Sequence, residues 1–182
     1  KRADIDILVM GFIDKFTIQN IKTKNCNIVK ELNIKSFICN MELKSHTANG
    51  VKREGTDYFV LYKDCFHNAS KQCNDAKFSL LNHFKEQLSV SPFICDVLWF
   101  NGLSYDDLKN MRGDYVDNAL HSGFKFRDLI NVILRQTIVH YDMLDSFPNG
   151  ENEYESIVRI FTDSHKKKKL KKRKFEMISQ GG

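Results

Sequence analysis

Two carboxylates and a lysine, carried by successive apolar stretches of the chain, are the residue types that metal-dependent cleavage of phosphodiester bonds needs. Asp6 lies in the first stretch, and the second stretch ends with Glu42 and Lys44. Carboxylates bind hard cations, and a lysine beside them helps to position water and offsets charge on the phosphate. Gln72 lies downstream on a stretch with helical apolar spacing. The order of these motifs and their strand context indicate a candidate nuclease site.

The first stretch, residues 3–10, has the apolar periodicity of a β-strand. We expect Ile5 and Ile7 on one face and Asp6 on the other, with Gly11 ending the strand. Asp is disfavoured inside strands, so its presence indicates either a functional site or the solvated face of an edge strand.

The second stretch, residues 36–44, also predicts a strand, and residues 16–21 predict a short one before it. Glu42 and Lys44 are two positions apart, so both point to the same face. An isolated pair of this kind is more often a surface ion pair, but a strand end can hold two acids against one cation. Because a lysine on a polar strand face packs little core, we expect Lys44→Ala to abolish cleavage with little loss of stability.

Downstream, the sequence predicts a β-meander, a crossover helix and a further strand. Residues 51–62 are β-rich around a turn at Gly55. Apolar residues every three or four positions predict a helix over residues 69–88, which carries Gln72. Residues 93–100 are almost all apolar and predict a buried strand, parallel to the strand before the crossover.

Beyond residue 102 the sequence predicts only helices, the first with an N-cap at Ser104 and a longer one over residues 124–141. We therefore predict an α/β protein with a mixed central sheet flanked by helices. Its parts are a core (residues 1–101), a helical extension packed on it (residues 102–165) and a basic tail (residues 166–182).

The positive charge of the chain is concentrated in that tail. The chain has 28 basic and 23 acidic residues, a net charge of +5. Residues 166–174 (KKKKLKKRK) hold eight of the basic ones, which leaves 20 basic against 23 acidic residues, or −3, for the rest. The body is therefore slightly acidic. The tail is either a contact for phosphates or an acidic partner, or a solvated extension.

Cysteine spacing and hydropathy indicate the compartment. The five cysteines form no C-x-x-C pair, which argues against a zinc site and indicates a reducing, cytoplasmic environment. No apolar run approaches the roughly 20 residues that span a bilayer, so no membrane association is expected. The chain starts at Lys1 within a strand-like segment, so we expect it to be a fragment of a longer protein.

The motifs resemble those of the PD-(D/E)xK nuclease superfamily, in particular the nuclease-related domains known as NERD. Residues 4–9 (DIDILV) and 37–44 (FICNMELK) carry the likeness, followed by a β-rich segment, a helix with Gln72 and a buried strand. The resemblance covers about residues 1–101. It implies a restriction-endonuclease-like core that hydrolyses nucleic acid, with DNA as the expected substrate. It also implies a larger DNA-processing protein with an additional domain, such as a helicase.

The resemblance implies a role for each residue. Asp6, Glu42 and the backbone carbonyl of Leu43 would bind Mg²⁺ or Mn²⁺. Lys44 would orient the attacking water and stabilise the phosphate in the transition state. Gln72 would contact the lysine, the water or a phosphate.

Three more residues would support such a site. Asp4 points to the same face as Asp6 and would lie behind the metal ligands. His46, two positions beyond Lys44, and Lys52 would contact phosphates, although a lone histidine is more often a bystander. The alternative is a catalytically silent nuclease-fold module that binds nucleic acid or a protein partner.

The basic tail yields a prediction of its own. Deleting residues 165–182 should leave metal binding intact and weaken nucleic-acid binding. The salt dependence of binding should also flatten, because up to eight basic residues no longer release counterions from phosphates. Fluorescence anisotropy with labelled DNA over a salt series measures both effects. An unchanged affinity and salt slope would make the tail a solvated appendage.

Overall fold

The computed structural model describes residues 5–21, 30–113, 117–142 and 157–159. Asp4 and the predicted basic tail lie outside the described residues. The strands and helices, in chain order, are β1 (Ile7–Ile21), β2 (Lys30–Lys44), β3 (Val51–Glu54), β4 (Asp57–Tyr62), β5 (Cys65–Asn68), α1 (Ala69–Leu88), β6 (Cys95–Phe100), α2 (Tyr105–Arg112), β7 (Ala119–Leu120) and α3 (Phe126–Asp142).

The main sheet has four strands in the order β1-β2-β6-β7. β1 is antiparallel to β2, whereas β2, β6 and β7 are parallel, so the sheet is mixed, as predicted. Met41 and Val97 pack with α3 in one core cluster, while Ile38 packs with Leu80 and Phe84 of α1 in another. Because side chains alternate along a strand, α1 and α3 cover opposite faces of the sheet. Among the described residues, no helix has the length and apolar character that crossing a bilayer requires.

β1 runs through Gly11 without interruption, so the expectation that this glycine ends the strand is wrong. Gly11 is the register partner of Phe37 on β2. A Cβ at Gly11 would overlap the Phe37 ring, so the glycine allows a close contact between the strands. The segments predicted as separate strands at residues 16–21 and 36–44 belong to β1 and β2, which pair along most of their length.

β3, β4 and β5 form a second, antiparallel sheet. Gly55, with a φ of 60°, makes the predicted turn between β3 and β4. The three strands immediately before α1 thus lie outside the main sheet, and β6 is parallel to β2 rather than to β4 or β5, which corrects the predicted pairing. The two sheets share a core in which Tyr58 and Val60 pack with Phe100 and Leu103.

The segment after residue 102 is helical only in part. α2 begins with a capping box, in which Ser104 Oγ accepts from the Asp107 N–H at 3.1 Å and Asp107 accepts from the Ser104 N–H at 2.8 Å. The short strand β7 was not predicted and extends the main sheet beside β6. Leu108 of α2 and Ala119 of β7 lie in the core that both sheets share. This segment therefore builds the sheet as well as covering it.

α3 closes an edge of β6 that β7 is too short to reach. β7 pairs with β6 only at Leu98 and Trp99. One strand repeat earlier, the side chain of Gln136 takes the place of a strand. It accepts from the Asp96 N–H at 3.1 Å and donates to the Asp96 carbonyl at 2.8 Å. Both peptide groups are thereby satisfied.

The end of β2 is held against the turn after β6. The Asn101 N–H donates to the Lys44 carbonyl at 2.8 Å. Gly102 lies against the backbone of His46, and a Cβ there would overlap the carbonyl oxygen and lie 2.7 Å from the carbonyl carbon. Only glycine allows this approach, which fixes the chain just beyond Lys44.

We expect Gly102→Ala to lower the free energy of unfolding by about 1–3 kcal/mol, because the new methyl group displaces a backbone segment. Urea unfolding followed by circular dichroism measures the change. Gly123→Ala is the control, since its Cβ would meet only the His121 side chain at an ordinary 3.6 Å. Equal stability of the two variants would contradict a close contact between Gly102 and the backbone of His46.

Candidate active site

The end of β2, the start of β1 and the first residues of α1 meet at one place. Ile7 pairs with Met41, so Asp6, just before β1, lies beside the end of β2. Glu42 and Lys44 point to the face of the sheet that α1 covers, where they meet Gln72. The structure thus brings together all four residues that the sequence proposed as catalytic.

Glu42, Lys44 and Gln72 form a closed hydrogen-bonded triangle. Lys44 Nζ lies 2.7 Å from Glu42 Oε1 and 3.0 Å from Gln72 Oε1. Gln72 Nε2 donates to the same oxygen of Glu42 at 2.5 Å. Gln72 therefore accepts from the lysine and donates to the glutamate, which holds all three side chains in one arrangement.

The ion pair within this triangle is buried, which corrects the expectation that Lys44 lies on a polar strand face and packs little core. Glu42 is 1% exposed and Lys44 is 3% exposed. Burial raises the pKa of Glu42, while the hydrogen bond and the charge of Lys44 oppose that rise. Removing the lysine would leave a buried carboxylate without its counter-charge, so Lys44 supports the fold as well.

Asp6 provides a hydrogen-bond acceptor for β2 just before the first paired residue of β1. Its Oδ2 accepts a hydrogen bond from the Leu43 N–H at 2.9 Å. The N–H and C=O of one strand residue point to the same edge, so the Leu43 carbonyl is also directed to the side of Asp6. The Lys44 carbonyl points the opposite way, to Asn101 after β6. A carboxylate and a main-chain carbonyl therefore lie at the same corner of the sheet.

The second oxygen of Glu42 takes no part in the triangle. Oε2 is buried and has no hydrogen-bond partner among the described residues. The carboxyl groups of Asp6 and Glu42 are close enough to share a hydrogen bond when Glu42 is protonated, and this contact also raises the pKa of Glu42. Two neighbouring acids and an oxygen without a donor form an environment that a proton or a cation would stabilise.

The donor set fits a hard cation that keeps part of its water shell. Two carboxylates and one carbonyl supply only oxygen ligands, which Mg²⁺ and Mn²⁺ prefer. Within the described parts of the chain, no group of three or more His, Cys, Asp or Glu residues could hold a metal. Mg²⁺ is usually held by one or two carboxylates with several waters, so Asp6, Glu42 and Leu43 are sufficient.

The supporting residues proposed from sequence have other contacts. His46 Nε2 lies 3.1 Å from the Leu61 carbonyl, so this ring anchors the segment after β2 to the small sheet. Lys52 pairs with Glu54 at 2.6 Å and lies 4.4 Å from the Phe66 ring centroid. Neither contact connects them to the triangle, and Asp4 lies outside the described residues.

Sequence reasoning missed two neighbours of the site. Asn40, on the α1-facing side of β2, is fully buried and donates to the Cys73 carbonyl at 3.1 Å, which ties the strand to the helix. The Tyr62 ring centroid lies 5.9 Å from Lys44 Nζ. A polar residue inside an apolar strand could have identified Asn40. No sequence signal could place Tyr62 beside a strand of another sheet.

A cleft of about 840 Å³ lies beside α1, and the triangle does not line it. Three carboxylates line this cleft, and each has a partner. Asp57 accepts from Asn68 at 2.8 Å, Asp96 pairs with Lys77 at 2.6 Å, and Asp117 pairs with an arginine at 3.0 Å. Among the described residues that line the cleft, no carboxylate oxygen is both buried and without a hydrogen-bond partner, as Oε2 of Glu42 is.

Comparisons with protein-family models, with curated proteins and with solved structures found no match to this chain. The site combines a buried lysine, a buried acid with one uncompensated oxygen, and a second acid beside it.

The buried pair predicts a pH-dependent stability loss. Lys44→Ala should lower the free energy of unfolding by about 3–5 kcal/mol near pH 8, because it leaves Glu42 charged and alone. Glu42 of the variant takes up a proton as the pH falls, since its pKa lies above the ordinary 4.5. The loss should therefore shrink toward pH 4.5. Urea unfolding over a pH series measures it.

Lys52→Ala is the matched control, because Lys52 and Glu54 also form an ion pair two positions apart on one strand. Their side chains are 43% and 58% exposed. This substitution should cost at most about 1 kcal/mol at every pH. A Lys44→Ala loss as small as this, or one that grows toward low pH, would contradict the buried pair.

Proposed function

We propose that this chain is a metal-dependent nuclease domain that hydrolyses phosphodiester bonds in nucleic acid, with DNA as the substrate. The order Asp6, Glu42, Lys44 and Gln72 along two strands and a helix supports a PD-(D/E)xK relationship of the NERD type. A mixed sheet with helices on both faces is compatible with a restriction-endonuclease-like core.

One observation carries the proposal: the buried Oε2 of Glu42 has no donor among the described residues, and the carboxyl group of Glu42 lies beside that of Asp6. A structural ion pair needs only the oxygen that Lys44 already contacts. The other oxygen is left to bind something positive. Mg²⁺ or Mn²⁺, held by Asp6, Glu42 and the Leu43 carbonyl, would satisfy it.

Lys44 is arranged to act on a phosphate while the glutamate stays charged. Its ammonium group has three protons, and the triangle uses two of them, on Glu42 and Gln72. The third is available to a phosphate oxygen or to the attacking water. Gln72 keeps the ammonium oriented, so little reorganisation is needed in the transition state. A cation bound at the corner would lower the pKa of a bound water and polarise the phosphate.

The same triangle also supports the second candidate, a silent nuclease-fold module that binds nucleic acid or a protein. Lys44 is already neutralised by Glu42, and such a pair can serve structure alone. In that case no cation binds, and the sequence-predicted tail carries the interaction. Metal binding decides between the two. We also propose that the protein is cytoplasmic and carries an additional domain, such as a helicase.

Asp6→Asn tests the cation site with little risk to folding. Asp6 is exposed, and asparagine can still accept from the Leu43 N–H, but it carries no charge. We expect Mn²⁺ affinity to fall at least about tenfold, as for other disturbed metal sites, and cleavage to be lost. Isothermal titration with Mn²⁺ and a gel assay with labelled DNA measure the two effects.

Lys71→Ala is the control, because it removes an exposed lysine of α1 that is next to Gln72 in the chain and pairs with Asp75 at 3.0 Å. It should bind Mn²⁺ and cleave like the unmodified chain. Unchanged Mn²⁺ affinity in Asp6→Asn, or no Mn²⁺ binding by the unmodified chain, would rule out the cation site.

A further inference from the structure

The small sheet forms a side wall of the candidate site. On β4, Tyr58, Val60 and Tyr62 point to the same face because side chains alternate. Tyr58 and Val60 are buried in the core that the two sheets share. Tyr62 lies one repeat further on, past the edge of that core, and is 45% exposed. This face of β4 is therefore buried at Tyr58 and Val60 and exposed at Tyr62, whose ring lies near Lys44.

Tyr62 is held in place without being covered. The His46 ring meets it edge-on, with centroids 4.8 Å apart and an interplanar angle of 88°. His67 makes a similar contact from β5 at 5.6 Å and 74°. Edge-to-face pairs of this kind fix a ring's orientation. Nearly half of the tyrosine surface nevertheless remains open to solvent.

The position of Tyr62 relative to Lys44 gives the exposed ring a use. Its centroid lies 5.9 Å from the ammonium group, at the outer limit of a cation–π contact. The ammonium is engaged with Glu42 and Gln72 instead. A phosphate bound by Lys44 would bring its own sugar and base into the space beside Tyr62.

We propose that Tyr62 is a stacking surface for a nucleobase next to the scissile phosphate, and that the site acts on single-stranded nucleic acid. This inference rests on the proposed nuclease function. An aromatic side chain stacks on a base only where the base face is free, and base faces within a duplex are covered by neighbouring pairs. Tyr62 therefore selects a strand that is unpaired at the cleavage position.

Phe66 shows what an exposed aromatic residue without this role looks like. It is 41% exposed on the same sheet, but it points to the opposite face. Lys52 lies over its ring at 4.4 Å. Similar exposure and different surroundings make Phe66 a matched control for Tyr62.

The test uses the full chain and a single-stranded oligonucleotide with 2-aminopurine beside the cleavage position. Stacking on Tyr62 should quench the 2-aminopurine fluorescence, first in EDTA and then with Mn²⁺. Tyr62→Ala should abolish the quenching and lower kcat/KM on the single strand roughly 5- to 150-fold, as expected for one lost base–aromatic stack. Tyr62→Phe should retain most of both signals, and Phe66→Ala all of both.

Two further substrates separate stacking from a general loss of activity. A blunt duplex of the same sequence should be cleaved more slowly than the single strand. An oligonucleotide with abasic positions around the cleavage site should be cleaved equally by the unmodified chain and Tyr62→Ala. Equal cleavage of the base-containing strand by these two proteins would overturn the stacking proposal and leave the nuclease intact.

Quenching that depends on Tyr62, with no cleavage in any metal, would give the opposite result. It would support the stacking surface on a silent binding module and reject the nuclease. If the unmodified chain neither quenches 2-aminopurine nor cleaves the oligonucleotide, both proposals are rejected.

Discussion

The buried ion pair between Glu42 and Lys44 constrains everything around it. Two opposite charges withdrawn from water lose their hydration, and hydrogen bonds from neighbouring side chains offset part of that cost. Gln72 supplies one partner to each charge, which fixes the register of α1 on the sheet. Asn40, two positions earlier on β2, ties the same helix by its bond to Cys73. The helix therefore cannot slide without exposing a charge to an apolar core.

The end of β2 extends past the first paired residue of β1, so its edge on that side is not covered by a strand. Pairing starts at Ile7, so the Leu43 N–H finds a side chain, Asp6, instead of a strand. This substitution places a second acid near Glu42, whose Oε2 lacks a donor among the described residues. A single local irregularity, the replacement of a ladder bond by a carboxylate, thus brings two carboxyl groups to one corner of the sheet.

The carboxylate of Asp117 binds side chains from both the small sheet and α2. Tyr58 donates to this carboxylate at 2.6 Å and Arg112 of α2 at 3.0 Å. Burial and the neighbouring Asp117 raise the pKa of the Tyr58 hydroxyl, so it stays a donor. Tyr58 thus ties the first half of β4 to Asp117, and Tyr62 is the last residue of the same strand. The buried Tyr58 and the exposed Tyr62 therefore lie at opposite ends of β4.

Sequence alone determined the features that depend on local periodicity. The bounds of α1 follow from its apolar spacing, the turn at Gly55 from a residue that tolerates positive φ, and the shared face of Glu42 and Lys44 from strand alternation. It could not determine features set by distant partners. The burial of Lys44 depends on a helix that begins 25 residues later, and Gly11 lies within β1 because of Phe37 across the strand pair. The partner of β6 is β2 because the strands between them form another sheet. Only the tertiary structure decided these, since burial and strand pairing are properties of neighbours in space.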